Sequence, residues 1–155
     1  MAETLGSLID KLSIKSIRES YIKKMMRSKG VFSQKQLRDK LRILKDQKKS
    51  LLEEIELFIA TASQGNKILK DEKLKLYNKP RLMNKIGKIN SLSWGIEALT
   101  KKNLELWQLE DESRREDIPL SSIGKIKRKI DAANQQRNDL MDRIDHLFGA
   151  GLKKL

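Results

Sequence analysis

The chain has 155 residues, with 34 Lys and Arg against 21 Asp and Glu, a net charge of +13 and a pI near 9.9. It has no cysteine and one histidine, His146, which excludes disulfides, thiolate metal centres and any site or mechanism needing two histidines. No apolar run approaches the roughly 20 residues a membrane span needs, and the N-terminus lacks the basic start and apolar stretch of a secretory signal. A soluble, cytoplasmic protein is expected. With 35% charged and 38% hydrophobic residues, the composition suits long exposed helices around a narrow core.

The pattern predicts a first helix over Leu5 to Arg27, with Leu5, Leu8, Ile9, Leu12, Ile14, Ile17, Tyr21 and Met25 apolar. Thr4 or Ser7 can cap its start, and Ser28-Lys29-Gly30 reads as its stop. Ser33 and Gln36 form a capping-box pattern opening a second helix. Its seam runs through Leu37, Leu41, Leu44, Leu51, Ile55, Phe58 and Ala62, and Gly65 ends it. Residues 73–77 alternate like an extended segment before an Asn78-Lys79-Pro80 turn; with no second strand in view, this reads as an ordered connection. A third helix is predicted from about Gly87 to Arg115, and the stretch 116–119 breaks it. A fourth starts at Pro119 and runs to Phe148, with Gly149 and Gly151 as terminators and a basic tail beyond.

Two stretches repeat. Residues 8–17 align with 95–104, and residues 47–55 with 136–144, at offsets of 87 and 89. The predicted architecture is all-α: a four-helix bundle of two similar helical hairpins joined by an ordered basic connection. It forms a single helical domain, 1–155, with hairpin 7–62, connection 63–86, hairpin 87–149 and basic tail 150–155.

The polar residues that interrupt the seams carry the chemistry. Heptad steps along the third helix reach Asn103, Leu106 and Glu110, and steps along the fourth reach Arg137. A charge inside a bundle costs several kcal/mol unless paired, so Arg137 is expected to meet Glu110 or Asp111, with Asn103 and Asn134 adding hydrogen bonds. That group reads either as an ion pair fixing register or as a polar pocket in which Arg137 takes a phosphate or carboxylate. Trp107 fits a core position or a stacking platform, and Arg114 follows Asp111 at i+3. Glu110, Asp111 and Glu112 are candidate acid/base carboxylates or oxygen ligands, but neighbours on a helix point in different directions and do not converge by themselves. No Gly-rich phosphate loop, Ser/His/Asp constellation or EF-hand spacing is present, and no metal or cofactor is expected.

The charge is uneven. Residues 1–62 hold 14 basic and 8 acidic residues, 63–87 hold 7 and 2, and 88–155 hold 13 and 11. The connection supplies Lys67, Lys70, Lys73, Lys75, Lys79, Arg81 and Lys85, with Tyr77 among them, a patch that attracts phosphate backbones or anionic lipid. It has no base-reading signature.

Several segments resemble small helical bacterial proteins of unknown function. Gly6-Ser7-Leu8-Ile9-Asp10-Lys11-Leu12-Ser13-Ile14 is similar to their G-x-L-I-D-K-(L/I)-(S/T)-I opening. The 103–114 stretch resembles an N-x-x-L-W-x-x-E-D-x-x-R helix, and 134–140 an N-x-x-R-x-x-(L/I) segment. Residues 76–84 resemble a Y-N-D-P segment, although Lys79 stands where those proteins carry an acid. The resemblance implies an all-helical fold, a shared polar site of Asn103, Trp107, Glu110, Asp111, Arg114, Asn134 and Arg137, and an association with surface-polysaccharide and glycosyltransferase genes. The expected function is a non-catalytic binding or adaptor module for a phosphate-, carboxylate- or sugar-bearing ligand or a partner protein, with homodimerisation open. The alternatives are a nucleic-acid-binding protein using 67–85 and the first hairpin, and a small enzyme with Glu110 or Asp111 as acid/base.

Overall fold

The computed structural model describes residues 3–65, 69 and 89–154. Among the described residues there are four helices and no strand: α1 (Leu5–Met26), α2 (Gln34–Ser63), α3 (Leu92–Ser113) and α4 (Leu120–Leu152). α1 and α2 form one hairpin, α3 and α4 the other, and α1 also packs on both α3 and α4. Lys67, Lys70, Lys73, Lys75, Lys79, Arg81 and Lys85 of the basic connection, and its whole 73–80 segment, lie outside the described residues.

The helix starts follow from local hydrogen bonding. Thr4 and Ser7 cap α1 jointly: the Ser7 amide donates to Thr4 Oγ1 at 3.2 Å and the Thr4 amide donates to Ser7 Oγ at 3.0 Å. Ser33 and Gln36 do the same for α2, at 3.2 and 2.9 Å. These pairs satisfy amides that the helix itself leaves without partners. At the far end of α2, Gly65 takes φ of +76°, a left-handed conformation that glycine adopts without steric cost.

Two boundaries differ from expectation. α3 begins at Leu92 because the Ser91 side chain accepts from the Trp94 amide at 3.4 Å. α4 does not stop at Gly149 or Gly151 but continues to Leu152. Each helical glycine costs about 1 kcal/mol relative to alanine, yet the extra turn brings Leu152, with Phe148, onto the main core. Burial of that apolar surface outweighs local propensity.

The core has two apolar parts with a polar layer between them. Leu5, Leu8, Leu51, Phe58, Ala62, Leu99, Leu140 and Ile144 draw on all four helices. Leu106, Ile126, Ile130 and Ala133 form a second cluster within the α3–α4 hairpin. Asn103 on α3 and Arg137 on α4 fall between these clusters in sequence and in space, opposite Asp10 of α1. The aligned stretches of α2 and α4 bury matching positions, Leu51 with Leu140, and half-bury Lys48 and Arg137. Those of α1 and α3 do not: Asp10, Ser13 and Ile17 are buried where Glu97, Thr100 and Leu104 are exposed.

Glu19 ties the first hairpin, accepting from Lys23 on its own helix and Lys48 on α2, both at 2.7 Å. Hydrogen bonds from Lys23 and then Lys48 push its pKa down from 4.5 to about 2. A depressed carboxylate stabilises the fold above its unfolded pKa and loses that contribution as pH falls through the folded value. Glu19→Gln should therefore lower the melting temperature near neutral pH, by the equivalent of at most about 1 kcal/mol. Between pH 4.5 and about 2 the difference should close. A deficit that persists unchanged at acid pH would refute the ion-pair account.

Candidate functional site

The polar layer is built on Asp10, which is 3% exposed. Arg137 grips its carboxylate in a two-pronged pair, Nε donating to Oδ1 at 2.8 Å and Nη2 to Oδ2. Asn103 Nδ2 adds a third bond to Oδ1 at 2.9 Å and lies 3.4 Å from Ser13 Oγ. The bond to Asp10 raises the Arg137 pKa against the opposing effect of burial. Three donors converging on the Asp10 carboxylate are what make such a buried pair tolerable in a bundle.

This corrects the expected partner of Arg137, which is neither Glu110 nor Asp111. Glu110 lies seven residues beyond Asn103 along α3, about 10 Å up the helix axis, whereas Asp10 sits at the level of Asn103 and Arg137. Asn103 contributes a hydrogen bond as expected, but to Asp10. The Asn134 side chain makes no hydrogen bond among the described residues.

Immediately past this layer a cavity of about 330 Å³ opens among α1, α3 and α4. All seven residues singled out from the sequence line it: Asn103, Trp107, Glu110, Asp111, Arg114, Asn134 and Arg137. Ile14 and Arg18 of α1 complete the wall, with Leu106 at its apolar side. Sequence reasoning missed the α1 contribution. The available signal was spacing, since Asp10, Ile14 and Arg18 follow at i, i+4 and i+8 and share one helix face.

Trp107 is half-buried, and its ring meets Tyr21 with centroids 5.1 Å apart and planes tilted by 33°. Its Nε1 is buried and donates no hydrogen bond among the described residues. An unsatisfied buried donor costs about 1–3 kcal/mol. Around it, Arg18 and Glu110 make no side-chain ion pair among the described residues, and the Nη1 group of Arg137 is left over from the Asp10 pair. Asp111 and Arg114 at the exposed rim pair with each other at 3.6 Å. The cavity thus offers several donors, one unpaired carboxylate and an aromatic edge.

Glu110, Asp111 and Glu112 do not converge: the first is half-buried, and the other two are exposed. Among the described residues, no group of three or more His, Cys, Asp or Glu is placed to hold a metal ion. His146 is exposed on the last turns of α4, away from this cavity. No described helix is long and apolar enough to cross a membrane.

No curated protein and no solved structure matches the chain significantly. Residues 95–155 match the profile of a family described as a protein of unknown function, DUF4254. The matched segment covers α4 and α3 from Gly95 onward, and with them seven of the cavity's polar residues; Asp10, Ile14 and Arg18 lie outside it. By this segment the chain is similar to an uncharacterised family.

Proposed function

We propose that the cavity between the hairpins binds a small ligand carrying a phosphate or carboxylate group, and that the protein is a binding module. The carrying observation is a cavity walled by the exposed, unpaired Arg18 and by Trp107, whose Nε1 is buried without an acceptor. An anion in the cavity would neutralise Arg18, and a turn of the Trp107 ring would let the same anion accept from Nε1. Arg137 is committed to Asp10, so its role is to fix the wall, with only Nη1 free to reach inward. A sugar attached to the acidic group, and a place beside surface-glycan assembly, is what the resemblance of the 103–114 and 134–140 stretches adds.

The test uses Trp107 as its own reporter. In a Trp94→Phe background, which removes the other, exposed indole, the emission of Trp107 is followed while inorganic phosphate, pyrophosphate and glucose 1-phosphate are titrated. A saturable change is expected with at least one of them, and Arg18→Gln should weaken it about tenfold, the value of one charge-assisted hydrogen bond. If none of the three anions perturbs Trp107, the anionic-ligand reading is wrong.

The enzyme reading falls on Glu110, the lining carboxylate without an ion pair. Glu110→Gln separates the two readings: an enzyme that uses Glu110 as acid or base keeps its affinity but loses turnover of the bound compound, whereas a binding module shows no turnover in either chain.

A further inference from the structure

The turn of the first hairpin has an unusual surface. Every residue from Arg27 to Gln36 is exposed. At its apex Val31 is 98% exposed and Phe32 44%, with Lys40 Nζ 5.4 Å from the centre of the Phe32 ring. Residues 18–45 carry ten basic residues and two acidic ones, Glu19 and Asp39. Glu19 is already occupied by Lys23 and Lys48. Lys24, Arg27, Lys29, Lys35 and Arg38 make no ion pair among the described residues. Farther along the same hairpin the sign reverses: residues 46–62 hold four acidic residues and two basic.

We propose that this turn is a docking surface for an anionic lipid bilayer, with Val31 and Phe32 entering the headgroup region and the surrounding lysines and arginines lying on it. Three observations carry this. The positive charge is concentrated at the free end of the hairpin, and the acidic stretch of α2 lies behind it, so an anionic plane is met end-on rather than along the helices. Two apolar side chains occupy the apex, where only an apolar phase rewards them. The cations ring that apex, and juxtamembrane basic residues are attracted to anionic headgroups one by one. A nucleic acid would satisfy the charge but offers nothing to an aliphatic side chain at the tip, so it is the less complete partner. This surface lies apart from the cavity described above and does not depend on what the cavity binds.

The experiment is co-sedimentation of the whole chain with vesicles of phosphatidylcholine alone and of phosphatidylcholine mixed with phosphatidylglycerol. The chain should bind the anionic vesicles, weaken as salt is raised, and leave the neutral ones unbound. Val31→Ser combined with Phe32→Ser keeps every charge and alters only exposed side chains; it should lower the partition coefficient about tenfold. Replacing Arg27, Lys29 and Lys35 by glutamine should lower it roughly a hundredfold. Far-UV circular dichroism checks that both variants keep their helix content. Failure to bind anionic vesicles overturns the proposal. So does a serine pair that binds them as well as the wild type, because the contact is then charge alone, as a nucleic-acid surface would give.

Discussion

An Asp10→Ala chain should unfold about 3 kcal/mol more easily than the wild type, the lower end of what breaking a buried ion pair costs. The lower end applies because the Arg137 side chain is 29% exposed, so water can partly solvate the guanidinium left behind. The loss has two parts: Arg137 keeps its charge without a carboxylate, and Asn103 loses its acceptor at 2.9 Å. Arg137→Met alone should cost at least as much, because the Asp10 carboxylate it leaves behind is 3% exposed and keeps only its Asn103 partner. The double variant, Asp10→Ala with Arg137→Met, should be more stable than the sum of the singles by about 2 kcal/mol. Urea denaturation of the four chains measures this coupling directly. Additive losses would mean that the two groups do not act as a pair, and the polar layer would then have to be held by packing alone.

The same layer shows what could be read from the residues and what could not. Asn103 and Arg137 announced themselves because they interrupt apolar seams, and a seam is visible within one helix. Asp10 did not, because α1 is packed by three neighbours and buries residues on several sides: Leu5, Leu8, Asp10, Ser13 and Ile17 do not form one stripe. Periodicity locates a buried face only when there is one such face. The partner of Arg137 was therefore sought within its own hairpin, whereas the structure supplies it from the other. The capping box at Ser33 and a cap at Thr4 or Ser7 were legible because their chemistry is confined to four residues; that Thr4 and Ser7 cap each other was not. The end of α4 was not, because two glycines signal a stop locally while Phe148 and Leu152 are drawn onward by a core that no local signal reports.

A second large effect is expected at Gly6. In an exposed helix, Gly→Ala stabilises by up to about 1 kcal/mol through propensity. Gly124, near the start of α4, meets that condition, since a Cβ there would have nothing within 4 Å, and Gly124→Ala should raise the melting temperature. Gly6 is buried at a close approach of α1 to α4. Its amide donates to Asp145 Oδ1 at 2.7 Å, so a carboxylate from α4 satisfies one of the α1 N-terminal donors and faces the positive end of that helix. A Cβ on Gly6 would lie 3.0 Å from the Met141 carbonyl carbon, 3.1 Å from Asp145 Oδ1, and closer still to the Met141 carbonyl oxygen. The nearest obstruction is backbone inside a 33-residue helix, which cannot swing aside as a side-chain tip would. Relief requires α1 to back away from α4, which stretches the Gly6–Asp145 bond and, one turn on, the grip of Arg137 on Asp10. Gly6→Ala should accordingly destabilise by about 3 kcal/mol, the upper range for overpacking, and loosen the cavity whose wall Asp10 and Arg137 fix. The paired comparison with Gly124→Ala gives the result its sign. If both alanines stabilise, α1 and α4 are not in close approach, and the Gly6 amide does not reach Asp145.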